Sequence, residues 1–143
     1  MPERLDMRRL HPAFTRPECR AMMLAYADLL DWRIRAAREY QRFGFNATLM
    51  DNIVHHHIFL WSATTGTRQQ NLVDQLQAPR RTIRDCLNRL EAAEMICRDG
   101  RTYYAADRTA DFAEAITPEF LAILGRLADA VIACREVSRR NTP

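Results

Sequence analysis

Apolar residues recur at intervals of three and four along most of this chain, and that spacing predicts helices. Met22, Met23, Tyr26, Leu29, Leu30, Ile34 and Ala37 keep the period between about residues 15 and 42. Thr15 is the expected N-cap, with Pro17 in the first turn and Glu18 three residues past the cap, and Gly44 ends the run. A second helix opens near Asn46 and would turn Leu49, Ile53, Val54, His57, Leu60 and Trp61 inward, until "TTGT" (64–67) breaks it. A third, short helix follows, with Thr67 as its cap and Leu72, Val73 and Leu76 on its buried side. The fourth, over 79–94, has Pro79 in its first turn and repeats Ile83, Leu87 and Leu90.

The period then changes. Asp99-Gly100 is a two-residue hairpin signal, because the central positions of a type I′ turn need positive φ. It predicts strands over Ile96–Arg98 and Arg101–Tyr104. Beyond a loop, with a helical turn at "DFAEA", Thr117 and Pro118 begin a last helix. Its apolar stripe is Phe120, Leu124, Leu127, Val131 and Cys134, flanked by Leu121, Ala128 and Ile132. The fold class expected is mainly α, a helix-turn-helix with a two-stranded β wing between long N- and C-terminal helices. One domain over 1–143 is the economical division, with a core at 46–108 and flanking helices at 15–45 and 109–140.

Composition narrows the function classes. Of the 143 residues 48% are apolar and 27% charged, the balance of a soluble globular protein. No apolar run approaches the ~20 residues of a membrane span, and "MPERLDMRRLHPAF" lacks the apolar stretch of a signal peptide. A cytoplasmic protein is expected. Its net charge is only +3, yet all 21 basic residues are Arg. Arg suits bidentate contact with phosphate or guanine better than Lys does, although a codon bias would produce the same composition. Position has to decide.

Position points to 79–94. A short helix, a tight turn, an Arg-studded helix and a hairpin follow one another, the order of a winged helix-turn-helix, in which the second helix enters the major groove of DNA. If Ile83, Leu87 and Leu90 pack on Leu72, Val73 and Leu76, the opposite side presents Arg80, Arg81, Arg84, Asp85 and Asn88. Arg81 and Arg84 are the candidates for base edges, since Arg donates two hydrogen bonds to guanine. Arg80 is the candidate to grip a phosphate, and Thr82 and Asn88 are secondary candidates. Thr67, Arg68 and Gln69 lie where the start of the preceding helix can hold a phosphate, and Arg98 and Arg101 flank the hairpin turn. The bland alternative is a solvated face on which Arg89 makes ordinary helix pairs with Asp85 or Glu91.

The stretch "NLVDQLQAPRRTIRDCLNRLEAAEMICRDG" resembles the winged-helix core of the MarR-type bacterial transcription regulators. "NRLEAAEMI" (88–96) stands where those proteins carry a stretch like "DRLEEKGLI" before the wing. The resemblance covers about residues 46–108. It implies a homodimer on a pseudo-palindromic operator in double-stranded DNA, with the terminal helices at the dimer interface. It also implies a pocket for a small-molecule effector between those helices and the winged domains, where Trp32, Trp61, Tyr26, Phe43 and Phe45 are available. Two departures stand out: the hairpin turns in two residues where the family has a long wing, and Pro79-Arg80 replace the small hydroxyl residue that often opens the recognition helix.

Other chemistry finds little support. "HHH" (55–57) cannot chelate one ion from a single helix, because adjacent residues point about 100° apart. Of the three, His57 falls on the apolar stripe. Cys19, Cys86, Cys97 and Cys134 form no CxxC pair; Cys86 and Cys134 read as small buried hydrophobes, and a redox-sensing thiol would need exposure. There is no nucleophile elbow, glycine-rich phosphate loop or HExxH, so neither an enzyme nor a metal or other cofactor is expected. The competing function is a winged helix that docks a protein without reading DNA.

Overall fold

A computed structural model describes residues 1–140. The chain is mainly helical with one small antiparallel sheet. After a 3-10 turn at Met7–Arg9 come α1 (Pro12–Thr15), α2 (Pro17–Glu39) and a second 3-10 turn at Tyr40–Phe43. They are followed by α3 (Leu49–Trp61), β1 (Thr67–Arg68), α4 (Gln69–Leu76) and α5 (Arg80–Ala92). The last elements are β2 (Ile96–Asp99), β3 (Thr102–Ala105) and α6 (Thr109–Arg140). Two compact units result: Met1–Trp32 with the chain from Thr117 onward, and Arg33–Ile116.

The Arg33–Ile116 unit is built around Val54 and Ile58 of α3, Leu72 of α4, Ile83, Cys86, Leu87 and Leu90 of α5, and Met95, Ile96, Tyr103 and Phe112. Val73 and Leu76 pack against this core, so the expected contact between the apolar sides of α4 and α5 is made. Burying each such Leu or Ile contributes about 1.5–3 kcal/mol. Gln77, in the left-handed region at φ 48°, ends α4 and lets α5 follow after a short connection. Glu94, at φ 59°, does the same for α5. That helix therefore stops at Ala92, before Met95.

In the first unit Trp32 stacks on Phe120, with centroids 4.6 Å apart, and Ile123 is buried. Arg126 and Asp28 form an exposed pair at 3.6 Å.

Several sequence expectations are corrected. Thr15 is the last residue of α1, and α2 begins at Pro17. Thr48, not Asn46, opens α3, through a capping box with Asp51. The buried side of α3 carries Asp51, Asn52, Val54, His55 and Ile58, whereas Leu49, Leu60 and Trp61 are exposed and His57 is half-buried. Thr67 and Arg68 form a third strand, in the order β1-β3-β2 with Thr67 opposite Tyr103, and Arg68 is the N-cap of α4. Gly66, at φ +66°, makes this approach possible. A Cβ there would lie 2.5 Å from Thr102 Cγ2 and 2.7 Å from Tyr104 Cε1.

The hairpin is also shifted. Asp99 pairs with Thr102, so Gly100 and Arg101 are the central residues, and only Gly100 has positive φ. Glycine at the first central position is the requirement of a type II′ turn, not type I′. Thr117 and Pro118 do not start a helix; Pro118 lies inside the 32-residue α6, where it removes one backbone donor.

Candidate nucleic-acid interface

The site begins with α5. Ile83, Cys86, Leu87 and Leu90 are each 1% exposed or less, and those contacts fix which side of the helix faces out. Arg80, Arg81, Arg84, Asp85 and Asn88 are exposed, and Thr82 is half-buried. Arg81, Arg84 and Asn88 make no side-chain hydrogen bond or ion pair among the described residues, so their polar groups are available to a partner.

Five of the expected residues converge on one concavity. Arg68, Gln69, Gln70, Arg80, Arg98, Gly100, Arg101 and Tyr103 surround a basin of about 390 Å³. Its walls are the start of α4, the first residue of α5 and the hairpin turn. Four guanidinium groups face it and no carboxylate lines it. Arg80 donates to Gln70 Oε1, and Gln70 in turn donates to Asp74 Oδ1 at 2.7 Å. Arg98 lies 3.5 Å from Glu91 and 5.9 Å from the centre of the Tyr103 ring. Arg81, Thr82, Arg84 and Asn88 continue along α5 outside the basin. Thr67 does not join either group, since it is 4% exposed and its Oγ1 is buried without a hydrogen bond.

Two arginines hold α5 in place, and Arg89 does so through Asp51 of α3, not through Asp85 or Glu91 on its own helix. Arg89 reaches across to α3, with Nη2 donating to Asp51 Oδ1 at 2.7 Å and Nε to Oδ2 at 3.3 Å. Asp51 is fully buried and also accepts from the Thr48 amide at 2.9 Å. Burial alone would raise the Asp51 carboxyl, but Arg89 and Thr48 outweigh it and hold the group below the ordinary carboxylate value. Arg108 closes the other end. Its Nη1 donates to the Ala93 carbonyl at 2.9 Å and its Nη2 to Phe43 O at 3.0 Å. The Thr-x-x-Asp spacing at 48–51 was a readable sign of the capping box; nothing local indicated Arg89 or Arg108.

Arg89→Ala should therefore cost more than a surface pair. Removing one partner of a buried pair costs about 3–5 kcal/mol. Because the Arg89 side chain is 47% exposed, solvent screening reduces the expected loss to about 2 kcal/mol. Urea unfolding at pH 7 measures it, and a loss below about 0.5 kcal/mol would reduce the pair to surface decoration.

The three adjacent histidines differ in burial. His55, 1% exposed, bonds through Nδ1 to Tyr40 Oη at 2.6 Å. Among the described residues no three His, Cys, Asp or Glu side chains assemble as a metal would need, and no helix is long and apolar enough to cross a membrane. Of the aromatics expected to line an effector pocket, Trp61 borders a smaller cavity of about 160 Å³ with His57, Thr65, Thr67, Asn71 and Gln75. Phe45 is buried in the core with Phe43 packed against it, and Tyr26 is exposed.

Comparison of the chain with protein-family models, curated proteins and solved structures yields no match.

Proposed function

We propose that Arg33–Ile116 is a winged helix-turn-helix that binds double-stranded DNA, and that the protein acts as a homodimeric transcription regulator. In this reading α4 and α5 form the helix-turn-helix, α5 lies in the major groove, and β2 and β3 are the wing. The observation that carries it is the basin: Arg68, Arg80, Arg98 and Arg101 come from three separate elements to one concavity beside the exposed Arg81 and Arg84. A phosphate backbone running past α5 meets that cluster, while the α5 side chains reach base edges. Dimerisation is supported by Tyr26, Leu30 and Ile34, which recur every fourth residue on α2 and are each about half exposed.

Phosphate contacts release counterions, so the logarithm of affinity falls with the logarithm of salt by about 0.9 per contact. Arg68→Ala combined with Arg101→Ala should flatten that slope by about 2 per protomer and leave sequence preference nearly unchanged. Fluorescence anisotropy on duplex DNA across a salt series, with a mass measurement in solution, reads both. An unchanged slope would remove the basin from the interface.

A protein-docking module is the second reading, favoured by the exposure of Phe59, Leu60 and Trp61 at the end of α3. Such an interface would bind its partner with little dependence on salt.

A further inference from the structure

Two of the four cysteines meet. Cys19 lies in the first turn of α2 and Cys134 near the end of α6, yet their sulfurs are 2.8 Å apart despite 115 residues of separation. A covalent sulfur–sulfur bond is about 2.05 Å long, so bond formation draws the two atoms together by less than an ångström. Both residues belong to the same compact unit. We infer that Cys19 and Cys134 are the two halves of a reversible intramolecular disulfide, formed by exchange with a low-molecular-weight disulfide such as oxidised glutathione.

The order of steps follows from exposure. Cys134 is half-buried and Cys19 is 6% exposed, so Cys134 is the first to attack the small disulfide. Its thiolate displaces one thiol from the small disulfide and becomes a mixed disulfide. Cys19 then attacks the Cys134 sulfur and expels the second thiol. Two protein thiols are oxidised to one disulfide, one small disulfide is reduced to two thiols, and the protons lost by the cysteines end on the leaving thiols. The other two cysteines belong to the Arg33–Ile116 unit. Cys97 is exposed on β2, and Cys86 is buried on the inner side of α5 with its thiol pushed up to about 12, first by burial and then by Asp51.

The bond would fasten the ends of α2 and α6 and place the whole Arg33–Ile116 unit inside one covalent ring. A loop that long restricts the unfolded chain strongly. The oxidised form should melt on the order of 10 °C above the reduced form.

The test incubates the full chain with oxidised glutathione, blocks remaining thiols and maps the peptides without reduction. The expected product joins the Cys19 and Cys134 peptides, leaves two thiols per chain, and returns to four with dithiothreitol. Cys97→Ser should form it equally well, whereas Cys134→Ser should lose both the linkage and the rise in melting temperature. A product with glutathione retained on Cys134, a linkage through Cys97, or no linkage would each overturn the inference. The map is made on the unsubstituted chain, so it stands even if Cys134→Ser fails to fold.

Discussion

Arg84→Ala is expected to weaken specific binding far more than non-specific binding while leaving the fold intact. Arg84 is exposed one turn beyond Arg80 and Arg81, and its guanidinium has no intramolecular partner among the described residues. Its truncation disturbs no packing, because the apolar side of α5 faces the core. A bidentate contact from Arg to guanine is worth roughly 1–3 kcal/mol. Counted once per protomer of a dimer, that becomes about 2–6 kcal/mol, or roughly 30-fold to 10,000-fold in affinity for the preferred duplex. Arg84→Lys should recover charge but not preference, since an ammonium lacks the planar fork. Dissociation constants for the preferred and a scrambled duplex, measured at one salt concentration, decide the role. Equal losses on both would make Arg84 a phosphate contact.

Acid should unfold the protein through His55. Burial pushes this imidazole down to about 4, against about 6.5 for an exposed histidine. Between those values the unfolded chain binds a proton that the folded chain refuses. Stability is therefore highest above about pH 6.5 and falls as the pH drops towards 4, by about 3 kcal/mol for this residue alone. His56 and His57 are also held low, by burial first and then by Arg33, and act in the same sense. Asp51 adds a loss at still lower pH, because its depressed carboxyl must be protonated. Urea unfolding at pH 7, 5.5 and 4.5 tests this. His55→Phe should cost stability at pH 7 through the lost Tyr40 bond, yet show a much shallower decline on acidification. A wild-type midpoint that does not move between pH 7 and 4.5 would contradict the assignment.

Much of the fold was legible in the chain. Ile83, Leu87 and Leu90 set the buried side of α5 by spacing alone, and the left-handed Gly44 closed the segment after α2 as expected. With those residues inward, the sequence determined that Arg80, Arg81 and Arg84 face out. A period of 3.6 is a local property, and local properties survive in one dimension. The face of α3 was not legible. Hydropathy favoured Leu49, Leu60 and Trp61, but the core takes Asp51, Asn52 and His55, because Arg89, Arg33 and Tyr40 from other elements satisfy them at 2.7, 2.8 and 2.6 Å.

The same limit applies to β1, whose two residues are too few to show alternation and exist as a strand only because β3 lies beside them. It applies to Pro118, a helix-start signal that the surrounding helix overrode. The sequence by itself determined α3, α4, α5 and the hairpin as elements, and which side of α5 is charged. Only the tertiary structure decided that Arg68, Arg80, Arg98 and Arg101 share a basin, that Arg89 reaches α3, and that Cys19 touches Cys134. Each is a meeting of residues distant in the chain, and no periodicity encodes the partner of a side chain that must cross from one element to another.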